Sequence, residues 1–347
     1  MEIISRRKIC YPASKSLRKY LRSYGREVKL PVSYETLRDF SGSVPLFDKQ
    51  GRDTLWETVY YQPSLTDELH QGLKRVYSLL KANGPYQAEE HLIIERIDFC
   101  SFGNSKPFRI RIVNRYNEVY DYFYIKIADA SRIWGMEMEH MLSPYWINYL
   151  VDGNTLIEEH ISGIPGDMFI RQYMDKPEFN PKRIAKEFVK FNERSFIRLL
   201  GDMRSYNFVF DISQDFDDIQ FRIRAIDFDQ QSYEGRKNMY MPQFFKENLI
   251  FVELVQKHFH PDVIHQYQVE ERSLVVRRIR AQRHRLKDLK EALLHDELST
   301  PEKLEQLKRE LADHHRDERL MDCCSMAELL TEHLKKYIFA KENWLKY

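Results

Sequence analysis

A run of alternating residues between positions 91 and 128 constrains the fold most strongly. β-Branched and aromatic residues recur there with a period close to two, and turn residues at 103–107 and 114–117 divide the run into LIIERIDF, FRIRIV and VYDYFYIKIA. Such alternation between turns is typical of half-buried strands, because successive side chains of a strand point to opposite faces of the sheet. The run therefore predicts three consecutive antiparallel strands.

Helical and strand patterns alternate on both sides of this run. Apolar residues recur at helical spacing over 131–142 and 183–200, and over one long charged segment, 270–295. Further strands are predicted by INYLV and TLIEEHI, and a hairpin by FVFDIS and IQFRIRAID. Residues 1–90 read as mainly helical and polar, with one helix that starts at Ser64 and ends at Asn83-Gly84-Pro85. Together these patterns predict an α+β fold.

Composition excludes several classes of protein. The 347 residues include 54 Lys and Arg and 53 Asp and Glu, a net charge of +1, so a surface that is basic throughout is not expected and neither is nucleic-acid binding. The four cysteines are too few and too scattered for a disulfide framework. No apolar stretch approaches the roughly 18 residues of a membrane span, and the N-terminus lacks a signal-peptide pattern. We expect a soluble, cytoplasmic protein, with peripheral membrane contact left open.

Three oxygen-bearing side chains flank the predicted hairpin. Asp202 and Asn207 lie between the helix 183–200 and the first strand of the hairpin, and Asp227 closes its second strand. A hairpin brings its entrance and its exit to one edge, so the three side chains are expected to converge. Hard divalent cations bind carboxylate and amide oxygens in such an arrangement, and nucleotide phosphates can complete the ligand set.

This order of residues resembles the catalytic and metal-binding loops of the protein-kinase-like superfamily. The resemblance rests on Gly201-Asp202, on Asn207, and on the segment Ile226-Asp227-Phe228-Asp229 after a hydrophobic strand, and it covers roughly residues 91–260. It is closest in style to the aminoglycoside-phosphotransferase-like and other small-molecule or atypical kinases. It implies that Asp202 is the catalytic residue, and that Asn207 and Asp227 hold Mg²⁺ on the phosphates of ATP.

The same resemblance assigns roles to residues upstream. Lys126, on the third strand, is similar to the family's lysine that contacts the α- and β-phosphates and pairs with a glutamate of the following helix. Glu137 and Glu139 both lie on that helix, and the sequence does not choose between them. The backbone of Glu159, His160 and Ile161 is implied to be the hinge that faces the adenine.

Some positions depart from the family pattern. The turn expected to cover the phosphates, 101–107, contains a single glycine, Gly103, and Leu200 stands where many relatives have histidine. Asp229 replaces a glycine, and either adds a metal ligand or faces solvent. The segment that follows is too short for a protein kinase's activation loop, which favours a small-molecule, sugar or lipid-linked acceptor over a protein.

The resulting expectation is a bilobal kinase-like fold. A helical extension (1–90) precedes a β-rich nucleotide-binding lobe (91–161) and a mainly helical lobe with the catalytic hairpin (162–347), and the nucleotide is expected between the lobes. The expected activity is transfer of the γ-phosphoryl group of ATP to a hydroxyl, with Mg²⁺ as cofactor. Two alternatives stay open: a catalytically silent interaction module, and a nucleotidyltransferase. The acceptor and the oligomeric state stay unassigned.

Three further patterns have simpler interpretations. The basic run 277–287 is either a solvated helix face or a patch for an anionic acceptor or a lipid headgroup. His258 and His260 are expected to be exposed or to cap a helix rather than to bind metal. Cys323 and Cys324 are expected to pack in the interior rather than to form a disulfide.

Overall fold

The protein is an α+β protein that divides into two units. The computed structural model describes residues 8–82, 90–174, 176, 179–215, 218–294 and 296–339. The first unit comprises the described residues up to Asp129 together with Ile147–His160. The second comprises Ala130–Trp146 together with the described residues from Ile161 onward.

The first unit is built on a seven-stranded antiparallel sheet. Its strand order is β1-β2-β3-β4-β5-β7-β6. The strands are β1 (Gly42–Phe47), β2 (Asp53–Tyr60), β3 (Leu92–Phe99), β4 (Phe108–Asn114), β5 (Tyr120–Ile127), β6 (Tyr149–Asp152) and β7 (Thr155–Glu159). The helices are α1 (Lys15–Ser23), α2 (Tyr34–Arg38) and α3 (Pro63–Ala82).

The alternation between positions 91 and 128 forms β3, β4 and β5, which confirms the three predicted strands. In β4 the apolar side chains of Phe108, Ile110 and Ile112 are buried, and Ile110 lies opposite Phe123 of β5. These side chains belong to a core that includes Leu73 and Val76 of α3. The odd positions of β4, including Arg109 and Arg111, therefore lie on the other face of the sheet.

The segment 1–90, predicted as a mainly helical extension, also contains the strands β1 and β2, which the sequence pattern did not predict. Most of β1 is exposed, because it forms the edge of the sheet. An exposed edge strand buries neither face, and its sequence, GSVPLF, carries no clear alternation. Helix α3 begins at Pro63, and its predicted end at residues 83–85 lies outside the described residues.

The second unit consists mainly of helices around a three-stranded sheet of order β10-β9-β8. The strands are β8 (Ile164–Pro165), β9 (Phe208–Asp215) and β10 (Asp218–Ala225). The helices are α4 (Ala130–Leu142), α5 (Gly166–Gln172), α6 (Pro181–Arg198), α7 (Leu249–His258), α8 (Pro261–Ala281), α9 (Arg283–Leu293), α10 (Pro301–His315) and α11 (Met326–Ile338). Short 3-10 turns lie at Lys237–Tyr240, Pro242–Phe244, Lys246–Asn248 and Glu318–Asp322.

Caps and aromatic packing fix α6 and the hairpin β9-β10. The side chain of Asn180 accepts the N–H of Lys182, and Pro181 occupies the first turn, which suits a helix start. Phe210 of β9 stacks on Phe169 of α5 with ring centres 4.0 Å apart. The hairpin register pairs Phe208 with Ala225, so the residues just outside this pair lie at the open end of the hairpin.

Two boundaries differ from the sequence prediction. The charged segment 270–295 is not one helix, because α8 ends before Gln282 and α9 begins after it. Its apolar residues would continue on one face of an unbroken helix, so their spacing gave no sign of the break. Residues 130–146, predicted within the β-rich lobe 91–161, belong to the second unit.

Local predictions are confirmed at His260 and Cys323 but not at Cys324. Thr300 caps α10 by accepting the N–H of Lys303, and Pro301 is the first residue of that helix. His260 caps α8. Cys323 is buried as expected, whereas Cys324 is exposed. Within the described part of the chain, no helix is long and apolar enough to cross a membrane.

Candidate functional site

The loop after α6 holds Asp202 in an unusual backbone conformation. Leu199, which follows the helix, has φ +52°, and Asp202 has φ +57°, both in the left-handed region. Asparagine and aspartate adopt this region more readily than most residues. The N–H of Gly201 donates to the carbonyl of Gln230 (3.1 Å), and the N–H of Asp202 donates to that of Met239 (3.0 Å). These two bonds fix the backbone that presents the Asp202 carboxylate.

Asn207 is bound to Asp202 within the same loop. Its Nδ2 donates to the Asp202 carbonyl at 2.7 Å and lies 3.4 Å from Asp202 Oδ2. Because the amide nitrogen is directed at Asp202, the amide oxygen is directed away from it. Asn207 therefore offers an oxygen to a ligand while its nitrogen keeps the loop closed.

Asp227 follows β10 and lies at the open end of the same hairpin. The N–H of Ile226 donates to the carbonyl of Asn207 at 3.0 Å, which links the entrance of the hairpin to its exit. Asp227 Oδ1 accepts the N–H of Asp229 at 3.0 Å, and this bond orients the carboxylate. The structure thus joins the backbone of Asn207 to the residue before Asp227, and the convergence of the three side chains stays a prediction.

Arg204 is a residue of this loop that sequence reasoning missed. Its Nε donates to Asp202 Oδ1 at 2.8 Å, and its Nη1 donates to Glu247 Oε1 at 3.0 Å. Its guanidinium also lies 5.2 Å from the centre of the Phe245 ring. Arg204 stands only two positions after Asp202, but its other partners are distant in sequence, so no local pattern showed that it is held beside Asp202.

Burial and charge act in opposite directions on Asp202. Burial raises the pKa of the Asp202 carboxyl, and the carboxylates of Glu234 and Glu247 add to that effect. The hydrogen bond and the positive charge of Arg204 lower the pKa, but they do not cancel the rise. A carboxylate whose pKa is raised is a better proton acceptor than an ordinary aspartate. To act as a base it must also be held within hydrogen-bond distance of the group that gives up the proton.

Asp229 is neither a solvent-facing residue nor placed as a free metal ligand, which corrects both alternatives offered by the sequence. It is buried and forms an ion pair with Arg132 of α4. Ser131 Oγ donates to the Asp229 and Gln231 carbonyls, at 3.2 and 2.8 Å. On the next turn of α4, a Cβ at Gly135 would lie only 3.0 Å from the Cβ of Phe228. Helix α4 is thus packed tightly on the segment that carries Asp227.

The oxygen groups at the hairpin end fit a hard divalent cation in their chemistry. Two carboxylates, Asp202 and Asp227, and the amide oxygen of Asn207 are the types of ligand that Mg²⁺ binds in proteins. Among the described residues, no group of three or more His, Cys, Asp and Glu is arranged to hold a metal by itself.

Lys126 is paired within its own sheet. It is buried on β5, and its Nζ forms an ion pair with the carboxylate of Glu158, on the neighbouring strand β7. Its Nζ also lies 5.7 Å from the centre of the Tyr124 ring. Within the first unit the partner of Lys126 is thus Glu158, and its pairing with a glutamate of the following helix stays a prediction.

The two helix glutamates have arginine partners within the second unit. Glu137 is fully buried and accepts hydrogen bonds from Arg285 of α9 at 2.8 Å. Glu139 forms an ion pair with Arg198, the last residue of α6. Burial alone would raise the pKa of Glu139, but the charges of Arg198 and Arg194 and a bond from Ser143 hold it below the usual value.

The three predicted hinge residues lie where the chain passes from one unit to the other. Glu159 accepts the N–H of Asn148 at 2.8 Å, and its own N–H donates to the Asn148 carbonyl at 3.0 Å. His160 Nδ1 lies 3.3 Å from the Tyr124 hydroxyl, and burial is the main reason that the pKa of His160 is lowered. Ile161 is buried and is the first residue of the second unit's long segment.

The turn at 101–107 is closed by its own backbone. The N–H of Lys106 donates to the Gly103 carbonyl at 3.1 Å, and that of Cys100 donates to the Pro107 carbonyl at 3.0 Å. Lys106 adopts φ +42°. This turn is held in one conformation before any ligand binds, and at least these two N–H groups are engaged within it.

Comparison with known proteins assigns no family. No model of a known protein family matches the sequence, and no curated protein sequence matches it either. A function must therefore be argued from the site itself.

Proposed function

We propose that this protein is a kinase-like phosphotransferase that moves the γ-phosphoryl group of ATP to a hydroxyl of a small-molecule, sugar or lipid-linked acceptor. In this proposal the first unit is the β-rich nucleotide-binding lobe and the second unit is the helical catalytic lobe. The acceptor class follows from the short segment after Asp229, which leaves no long platform for a protein substrate.

The observation that carries the proposal is the closure of the Asp202–Asn207 loop on the hairpin end next to Asp227. Two backbone bonds and one side-chain bond fix this arrangement: Asn207 Nδ2 to the Asp202 carbonyl, the N–H of Ile226 to Asn207, and the N–H of Asp202 to Met239. A purely structural loop has no need to hold a partly exposed carboxylate in a left-handed backbone conformation. Rare conformations of this kind are concentrated at functional sites.

The proposed roles follow from the chemistry of each group. Asn207 and Asp227 hold Mg²⁺, which neutralises charge on the phosphates when it is bound. Asp202 accepts a hydrogen bond from the acceptor hydroxyl and orients it, and its raised pKa suits it to take the proton. Arg204 keeps the Asp202 carboxylate in place and adds a positive charge beside it. Positioning and charge neutralisation account for most of the catalysis of phosphoryl transfer.

Lys126 is proposed to bind the phosphates of ATP while Glu158 stays beside it. An arriving phosphate competes with the Glu158 carboxylate for the same ammonium group. Because Lys126 and Glu158 are both buried, the two charges cannot be left separately unpaired without a large cost. The proposal therefore requires that Lys126 bind phosphate while it keeps Glu158 as a neighbour.

A second candidate function is a catalytically silent module of the same fold. It is favoured by the ion pairs that Lys126 and Asp202 already make, with Glu158 and Arg204. In that case both pairs are structural, and no exchange with a nucleotide occurs. Nucleotidyl transfer is a third outcome, in which the α-phosphorus of ATP is attacked instead.

Transfer of a radioactive label separates these candidates. The protein is incubated with Mg²⁺ and either γ-labelled or α-labelled ATP, and with sugars, polyols and lipid-headgroup alcohols as acceptors. We expect the γ label alone to reach an acceptor, and we expect Asp202→Asn to slow transfer at least about 100-fold, because a positioned base contributes at least that much. Asparagine tolerates the left-handed conformation, so this variant keeps the loop.

The control variant is Asp262→Asn, at an exposed position of α8, which should transfer at the wild-type rate. Movement of the α label would replace phosphotransfer by nucleotidyl transfer. If ATP binds and neither label moves with any acceptor, the silent module becomes the better account.

A further inference from the structure

Three arginines of the second unit gather around Tyr145, which follows α4. The guanidinium of Arg224, on β10, lies 5.1 Å from the centre of the Tyr145 ring, and that of Arg194, on α6, lies 5.6 Å from it. Arg278 stands on α8, two turns after Glu271, and Glu271 binds Arg194 at 2.6 Å. We call Arg194, Arg224 and Arg278 the arginine cluster.

Among the described residues, only one member of the arginine cluster has a carboxylate partner. Arg194 donates to Glu271 and, at 3.1 Å, to the carbonyl of Ile223. Arg224 donates through one terminal nitrogen to the carbonyl of Trp146 at 3.4 Å. In the described part of the chain, the Nε–H of Arg224 and the Nη1–H of Arg278 are buried donors without an acceptor.

Buried donors without an acceptor are rare in folded proteins. Each one has lost its hydrogen bonds to water without a replacement, which is most costly when the donor carries a charge, so native structures satisfy them with protein groups, water or a bound ion. Here the two charged donors belong to side chains that both interact with Tyr145: Arg224 lies over its ring, and Arg278 interacts with it and with Arg194 electrostatically. A single acceptor-rich anion could bind both, whereas a neutral water would leave the charges uncompensated.

Positive charge exceeds negative charge in this region. The carboxylates near the arginine cluster are Glu271, already bound to Arg194, Glu139, already paired with Arg198, and Glu187 of α6. Burial raises the pKa of Glu187, which weakens it as a counter-ion. Burial is also the main reason that the pKa of Arg278 is lowered; Glu271 opposes this effect, and the charges of Arg194 and Arg277 add to it. Arg222, two positions before Arg224 on β10, adds a further exposed cation.

We propose that the arginine cluster binds a phosphate-type oxyanion, held by the unpartnered N–H groups of Arg224 and Arg278 beside Tyr145. Arginine is suited to this role because its planar fork of donors matches phosphate oxygens and remains charged when buried. The ligand is either the free inorganic ion or the phosphate group of a phosphomonoester. This anion site is independent of the proposed phosphotransfer, since it uses none of the residues at the hairpin end.

Thermal unfolding in phosphate tests this proposal. The wild-type protein is titrated without Mg²⁺ with sodium phosphate or glycerol phosphate, and in parallel with sodium chloride at equal ionic strength. A ligand that binds only the folded protein raises Tm by mass action. We expect phosphate to raise Tm in a saturable way that chloride does not reproduce. If glycerol phosphate acts as well as phosphate, the site takes a phosphomonoester; if phosphate alone acts, it takes the free ion.

Variants assign the effect to the arginine cluster. Arg278→Gln and Arg224→Gln, each compared with its own Tm in chloride, should weaken the apparent phosphate affinity about tenfold or more, the size expected for one charge-assisted hydrogen bond. Arg280→Gln is the matched control, because Arg280 is exposed on the same helix two positions further on, and it should respond like the wild type. Phosphorus NMR line broadening provides a second measurement for a variant that unfolds too early to titrate.

Two results would overturn the proposal. One is a wild-type Tm that rises no more in phosphate than in chloride. The other is an equal loss of the phosphate effect in Arg280→Gln and Arg278→Gln, which would indicate general surface screening.

Discussion

At the scale of single residues, the histidine pair His315–His333 shows how burial fixes protonation. His333 Nε2 lies 3.2 Å from the carbonyl of Phe196, which can only accept, so Nε2 carries the proton. Nδ1 of a neutral His333 then accepts from His315 Nε2, 2.9 Å away. Both rings are therefore neutral in this chain of bonds, which joins α11 and α10 to the end of α6.

Acid should weaken the folded state through this pair. Burial is the main cause that lowers the pKa of His315 to about 4, with smaller effects from His314 and Lys336, and it holds the pKa of His333 well below its usual value. An unfolded histidine binds a proton near pH 6.5, so the unfolded state binds more protons as the pH falls. The free energy of unfolding should therefore drop between about pH 6.5 and 4, by on the order of 1–3 kcal/mol from this pair.

Chemical denaturation across that pH range measures this loss. His315→Gln keeps an N–H that can donate to His333 but removes one titrating group, so its unfolding free energy should depend less on pH than that of the wild type. His284→Gln, at an exposed position, is the matched control and should follow the wild type. Equal pH dependence in His315→Gln and the wild type would contradict this account.

Residues of the candidate site were predictable from the sequence where they lie close to one another along the chain. Asp202, Asn207 and Asp227 flank one hairpin, so their convergence follows from the sequence pattern. Asp229 was not predictable, because its partner Arg132 lies on a helix far upstream and only the tertiary fold brings the two together. The ion pair of Lys126 with Glu158 was not predictable for a similar reason, since only the folded sheet places β7 beside β5.

At the scale of elements, α4 is fixed within the second unit by three ion pairs. Its Arg132 binds Asp229, its Glu137 binds Arg285, and its Glu139 binds Arg198. All of these α4 side chains are buried. A helix held at three points along its length is expected to behave as a rigid part of this unit, and the pair Arg132–Asp229 ties it to the segment of Asp227.

Breaking the pair on one side should be costly. Arg132→Met leaves the Asp229 carboxylate buried without its cation, so we expect the free energy of unfolding to fall by about 3–5 kcal/mol. The double variant Arg132→Met/Asp229→Leu removes both charges and should recover a large part of this loss. Urea denaturation of the single and double variants measures both values.

An exposed ion pair supplies the matched control for this series. Arg171 and Asp167 form a pair on α5 that is open to solvent, and Arg171→Met should change the unfolding free energy by less than about 1 kcal/mol. If Arg132→Met costs no more than Arg171→Met, the buried pair does not hold α4 in place.

Elements with strong periodicity were predictable, and edge elements were not. Strands β3, β4 and β5 bury one face, so their alternation is visible in the sequence. Strand β1 lies at the sheet edge with almost every side chain exposed, and no hydrophobic pattern marks it. The division of the charged segment at Gln282 left the apolar spacing intact, which is why the sequence predicted one helix.

At the scale of the whole molecule, the net charge is close to zero, and many charged side chains form specific ion pairs. The 54 cationic and 53 anionic side chains leave a net charge of +1. Many of the buried ones are paired across distant elements, as Arg194–Glu271 and Arg285–Glu137 are. Against this background of paired charges, the N–H groups of Arg224 and Arg278 that lack an acceptor among the described residues stand out as a place for a ligand.

The central claim is that Asn207 and Asp227 bind Mg²⁺ together with ATP, and thermal unfolding tests it most directly. The wild type, Asp227→Asn and the exposed control Asp262→Asn are titrated with ATP, with Mg²⁺ or with a chelator. We predict a Tm that rises with ATP only when Mg²⁺ is present, in the wild type and in Asp262→Asn but not in Asp227→Asn. A well-folded wild-type protein whose Tm does not respond to millimolar ATP and Mg²⁺, or an Asp227→Asn variant that responds equally, would contradict the claim.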